Sequence, residues 1–93
     1  MDLHYKYDKL TFRDRIQVRN EYVKRQQGKC YWCGYDLEAP PAEDIEKLDV
    51  DWGLFPEGFQ NFPVHLQHDH GHGWTEGAVH MKCNAVMWQY HRR

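Results

Sequence analysis

Apolar positions recur with a helical period in the first third of the chain, with a strand period and then a helical one in the last third, and with no period between them. Phe12, Ile16 and Val23 fall near helical spacing with Tyr22 beside them. Thr11 and Asp14 form a helix-start capping arrangement in which Asp stands where Glu or Gln is usual. The pattern predicts a helix over residues 12–27, stopped by Gly28. Val64, His65 and Leu66 predict a short strand, residues 71–73 a turn, and residues 75–79 a second strand interrupted by Gly77. Val86 and Tyr90 then stand four apart, with Met87 three before Tyr90, which predicts a closing helix from 80 or 81 to 91.

Between the two periodic regions, residues 38–63 read EAPPAEDIEKLDVDWGLFPEGFQNFP and hold all four prolines of the chain. They predict a long connection with one helical turn near residues 42–48. Cys30-Tyr-Trp-Cys33-Gly34 predicts a tight turn between two short extended pieces, where Gly34 lets the backbone curl. No internal repeat or low-complexity tract interrupts this plan. It describes one small α+β domain.

Length makes such a domain marginal. A chain of 93 residues buries only about 60 to 65% of its unfolded surface, so another source of stability is expected. The three cysteines cannot all pair within one chain, residues 1–10 carry no apolar secretion segment, and no apolar run reaches membrane-spanning length. These features predict a cytoplasmic protein whose thiols are ligands or free, with no membrane partner.

Charge is segregated along the chain. Residues 1–33 hold eight Lys/Arg against four Asp/Glu, a balance of +4, whereas residues 38–63 hold seven acids and one lysine, a balance of −6. The polar side of the predicted first helix carries Arg13, Arg15, Arg19, Lys24 and Arg25. Such a side is either a solvated face or a grip on phosphates.

Two ligand pairs share one gap. Cys30-x-x-Cys33 and His80-x-x-Cys83 each let both side chains reach one tetrahedral ion, and together they use every cysteine in a Cys₃His zinc set. A redox CxxC of the thioredoxin kind needs a parallel sheet that this pattern does not offer, and a zinc deaminase needs an H-x-E triplet upstream of its cysteines, which is missing. Structural zinc would supply the stability that the small core lacks.

The zinc pairs leave His65, His68, His70 and His72, with Asp69 among them and Asn84 directly after Cys83. The run Gln67-His68-Asp69-His70, then Gly73, Gly77, His80, Cys83 and Asn84, resembles the D-H-D-H…G-x-x-C-x-x-C-N ending of HNH nucleases of the phage recombination endonuclease VII type. The resemblance spans residues 30–90 apart from the acidic connection.

What it implies is specific. The fold would be a zinc-stapled ββα-metal (HNH, or His-Me finger) motif over residues 64–91 with an added N-terminal helix, one nuclease domain over residues 1–93. His68 would be the general base that takes a proton from the attacking water. Histidine suits that work because an unperturbed imidazole, with a pKa of about 6.5, is largely neutral in the cell. Asn84 would hold the catalytic Mg²⁺ or Mn²⁺ with Gln67 and His68 beside it, and His70 and Asp69 would contact phosphate or support the site. The bland alternative for Asn84 is a helix cap.

Two positions depart from the family pattern. Gln67 stands where the first metal ligand is usually Asp or His, and an amide oxygen is a weaker ligand for a hard cation unless His65 or Asp69 assists. Met87 stands three residues after the Asn, where the founding member has an acid. Strand alternation also turns Gln67 and Asp69 away from the face that carries His68 and His70.

The resemblance therefore predicts a metal-dependent DNA endonuclease or nickase, acting as monomer or homodimer in a phage-infected or bacterial cell. Its backbone contacts would come from Arg13, Arg15, Arg19, Lys24, Arg25, Lys82, Arg92 and Arg93, and the acidic connection would point away. The alternatives are a zinc-stapled DNA-binding module whose catalysis is weak or lost through Gln67, and a purely structural zinc protein that binds another protein through its aromatics.

Overall fold

The computed structural model describes residues 4–69 and 71–91. His70, Arg92 and Arg93, to which the sequence assigned site or phosphate-binding roles, lie outside the described residues.

Helix α1 spans Phe12–Arg25. Both halves of its capping box form: Asp14 N donates to Thr11 Oγ1 at 3.1 Å and Thr11 N to Asp14 Oδ2 at 3.2 Å, which satisfies two backbone donors that a helix start leaves open. The helix stops two residues before the expected end, because Gln27 and Gly28 both turn left-handed, with φ of 57° and 75°, and Gly28 N reaches back to Val23 O at 2.9 Å.

Strands β1 (Val64–His68) and β2 (Thr75–His80) pair antiparallel. The first is longer than the three residues the sequence suggested. The register runs from Val64 opposite His80 to Gln67 opposite Gly77, then skips Glu76 and sets His68 opposite Thr75, a bulge at the turn end of the hairpin. Gly77 is required there. A Cβ on it would meet the Tyr31 ring at 2.7 Å, and Tyr31 N also bonds to Ala78 O, so the cysteine turn is seated on β2.

Helix α3 (Met81–His91) follows β2 directly and buries Cys83, Ala85, Val86 and Met87. From the other side α1 contributes buried Tyr22, whose hydroxyl bonds to Thr75 Oγ1 at 2.9 Å. Gln26 closes the outer edge of β2: its amide donates to Ala78 O and accepts from Ala78 N, both at 2.9 Å, standing in for the strand that an exposed edge would otherwise recruit. Tyr22, Cys30, Leu37, Ala78, Val79, Cys83 and Met87 form the apolar core cluster.

Two features fall outside the sequence plan. Residues 4–7 lie beside the start of β2, with Thr75 N bonded to Tyr5 O at 2.8 Å and Tyr7 N to Gly73 O at 2.9 Å. In the acidic connection the expected helical turn forms as α2 (Glu43–Glu46), packed against α3, but two unexpected 3-10 turns follow it, Trp52–Leu54 and Phe59–Asn61. Gln89 holds the connection through Asp51 N at 3.1 Å and Asp51 O at 2.8 Å. No helix among the described residues is long and apolar enough to cross a membrane.

Candidate metal centre and groove

The cysteine turn and the β2–α3 junction meet at one point. Ligand atoms of Cys30, Cys33, His80 and Cys83 all lie within 4.8 Å of one another. His80 Nδ1 is 3.5 Å from Cys33 Sγ and 3.6 Å from Cys83 Sγ. Around a tetrahedral ion with Zn–S of about 2.3 Å and Zn–N of about 2.0 to 2.1 Å, a sulfur–nitrogen edge is roughly 3.5 Å, so the spacing fits zinc.

The imidazole is set for the task. His80 Nε2 faces the carbonyl oxygens of Asp36 and Ala39, each at 2.9 Å, and only a protonated Nε2 satisfies them. The tautomer that results leaves the Nδ1 lone pair aimed at the sulfurs, the outer-shell arrangement expected of a histidine metal ligand. Trp32 N and Cys33 N approach Cys30 Sγ at 3.3 and 3.5 Å. The hydrogen bond with the Cys83 thiol and these backbone donors pull the Cys30 thiol down to about 4, and the same shared proton pushes the Cys83 thiol up. Of these two sulfurs Cys30 is thus the more acidic, and the cluster's donor set could hold a structural zinc ion.

The Cys₃His corner directly precedes Asn84 on α3. Asn84, one residue past Cys83, faces β1 and brings its Nδ2 to 3.1 Å from His65 Nδ1. His65 is opposite Val79 on the α3 face of the hairpin, while His68, by strand alternation, belongs to the other face. Both nevertheless line one groove of about 450 Å³, together with Val64 and Leu66 of β1, Arg15 and Arg19 of α1 and Asn84 of α3.

Burial pushes the His65 pKa down, with the Arg19 charge adding to the effect, so its ring is neutral. His68 is held differently. Tyr7 stacks flat on it, ring centroids 3.9 Å apart and 9° from parallel, and the Arg15 guanidinium lies 3.9 Å from the same tyrosine ring.

The other expected residues scatter. Gln67 is buried, and its amide donates to Glu76 Oε1 at 2.8 Å; it does not line the groove. Asp69 accepts from Gly71 N and His72 N, the duty of a turn residue. With His72 and Glu76 it forms a second group of ligand atoms within 4.8 Å of one another, in which Asp69 and Glu76 are half-buried and His72 is exposed. Of the basic residues, Arg15 and Arg19 line the groove, Arg13, Lys24 and Arg25 are exposed elsewhere on α1, and Lys82 donates to the Glu46 carbonyl.

The acidic connection keeps its acids off the groove, as expected, but contributes its apolar end to it. Its apolar end, Leu54, Phe55, Phe59 and Phe62, walls the groove opposite α1. The cause is apolar: Phe55 stacks on Phe59 at 4.3 Å and meets Trp88 edge-on at 5.4 Å, and Phe59 meets His65 at 4.6 Å. These rings, and the pairing of His65 with Asn84, are what the sequence pattern missed; WGLFPEGFQNF carried a signal in its density of aromatics but no period to place them. The chain matches no protein family, no curated protein and no solved structure.

Proposed function

We propose that the protein is a metal-dependent DNA endonuclease or nickase built on a ββα-metal arrangement, in which His68 is the general base and His65 and Asn84 hold the catalytic divalent ion. The observation that carries this reading is the convergence of His65, His68 and Asn84 on one groove beside the Cys₃His cluster. A packed core requires none of the three.

Asn84 Nδ2 lies 3.1 Å from His65 Nδ1; with the amide turned over, its Oδ1 would stand there instead, close to the roughly 3 Å between neighbouring ligands around an octahedral ion at about 2.1 Å. The pair therefore fits such an ion, and His65 takes the place that Gln67 leaves. Bound there, a divalent ion would neutralise phosphate charge and stabilise the departing 3′ oxygen.

The protein's own part follows from its side chains. Tyr7 fixes the plane of His68, so that one ring nitrogen is presented to water without a search over rotamers. Arg15 and Arg19, four apart on α1, stand on the same groove to receive flanking phosphates. An imidazole donor suits a first-row transition ion better than Mg²⁺, so Mn²⁺ is the expected activator.

One observation favours a second reading, the DNA-binding module without catalysis: among the described residues the groove is lined by no carboxylate. Nicking of supercoiled plasmid separates the two. Cleavage that requires added Mn²⁺ or Mg²⁺ and disappears in both His68→Ala and His65→Ala supports the nuclease. Intact plasmid in every metal, with DNA still bound, supports the module.

A further inference from the structure

We propose that the groove takes an unpaired nucleobase and its flanking phosphates, so that the preferred ligand is single-stranded rather than duplex nucleic acid; the proposal rests on the nuclease reading for the role of the groove's polar floor. The groove joins two chemistries that seldom share a surface by accident. Phe12, Phe62 and Trp88 line it while remaining 68%, 43% and 40% exposed. Large rings left this open mark a surface that a ligand covers.

The cations stand among the rings. Phe12, Arg15, Ile16 and Arg19 form one helical stripe along the groove. The Arg19 guanidinium lies 5.8 Å from the Phe62 ring, and Arg15 Nε is buried with no hydrogen-bond partner. A ligand that satisfies all of this needs flat apolar faces and negative charge on one flexible backbone.

Duplex DNA offers only half of that. Its bases are stacked inside, so it could present phosphates to Arg15 and Arg19 but would leave the phenylalanine faces against sugars or water. A single strand offers both, since stacking on aromatic side chains and tracking of the backbone by basic groups are the two means by which such strands are held. At about 450 Å³ the groove has the size of a small-ligand site, enough for a base and its sugar and too small for a helix of DNA. The acids of the connection lie outside it, so the charge facing the ligand is positive.

The test is equilibrium binding of the zinc-loaded chain, with no Mg²⁺ or Mn²⁺ added, to a fluorescent single-stranded oligonucleotide and to a duplex of equal length. Single strand is expected to bind at least tenfold more tightly. Phe12→Ala and Phe62→Ala, at exposed positions where folding is little affected, should each weaken single-strand binding about tenfold and leave duplex binding within twofold, with zinc content unchanged. Equal affinity for duplex, or no effect of either substitution, overturns the proposal. So does displacement of the strand by an acidic aromatic peptide at equal concentration, or a dimer that Phe12→Ala dissolves. Single-strand preference without plasmid nicking removes the nuclease and keeps this inference; nicking without the preference does the reverse.

Discussion

The zinc corner and the groove are neighbours on α3, one residue apart at Cys83 and Asn84, yet they are built on opposite terms. In the corner three of the four metal-binding side chains are buried, and the fourth, Cys33, is half-buried. Its imidazole is satisfied by two carbonyls and its first thiol by two backbone donors. In the groove, rings stand open to solvent and a buried guanidinium nitrogen goes without a partner. The corner is completed by protein atoms, whereas the groove leaves some of its groups open, as the proposed function requires of a surface that is completed by what it binds. The chain keeps the two apart by only one peptide bond, so the rigid one orients the open one.

The sharpest way to break the comparison is to remove the corner. Zinc in a small domain contributes on the order of 10 to 16 kcal/mol of apparent folding free energy, as much as the whole net stability of most domains. Cys83→Ser or prolonged chelation is therefore expected to unfold the chain, read by far-ultraviolet circular dichroism beside elemental analysis. A chain that stays folded with no zinc would end the structural assignment.

Removing His68 should touch the groove alone. General-base catalysis contributes about 10²- to 10⁴-fold, so His68→Ala is expected to lose that much plasmid nicking while zinc content and thermal midpoint stay at wild-type levels. Loss of zinc in this variant would show that the two regions are not separable.

A smaller effect is expected where the regions meet the sheet. Gly77→Ala sets a methyl against the Tyr31 ring and should destabilise by about 1 to 3 kcal/mol, the usual cost of overpacking, measured by urea unfolding. An unchanged midpoint would mean that the cysteine turn is not seated on β2 as described.

The smallest effect is one of pH. His65 has an ordinary value of 6.5 when unfolded and a lower one when folded, because burial disfavours the charged ring. The unfolded chain therefore binds the extra proton first, so the His65 contribution is fully present above 6.5 and is lost as pH falls from there through the folded value. Subtracting the pH profile of His65→Asn from that of the wild type isolates it from acid release of zinc. A difference that grows with acidity in the opposite sense would contradict the buried, neutral ring.

The same contrast governs how much could be read from the sequence. Cys30, Cys33, His80 and Cys83 were legible because a two-residue gap is a local constraint on where side chains point. So were α1, with its Thr11–Asp14 cap, and the hairpin followed by α3. The groove depends on contacts across long separations: Tyr7 on His68, Phe55 on Trp88, His65 on Asn84. None leaves a period or a fixed spacing. Gln67 illustrates the limit. Alternation turned it from His68 correctly, but its hydrogen bond to Glu76, the residue that the register skips at the bulge, had no signature in the chain.

The bonds between Thr75 and residues 4 and 5 link positions 71 and 70 apart. On a ribosome this pairing has a timetable. His4, Tyr5 and Tyr7 leave the exit tunnel long before the strand they join exists, and the ring that steadies His68 must wait for it. The Cys₃His cluster, from Cys30 to Cys83, closes over much the same final interval. A nascent chain interrupted before that stretch therefore has neither the corner nor the groove, and the two become available together rather than in turn.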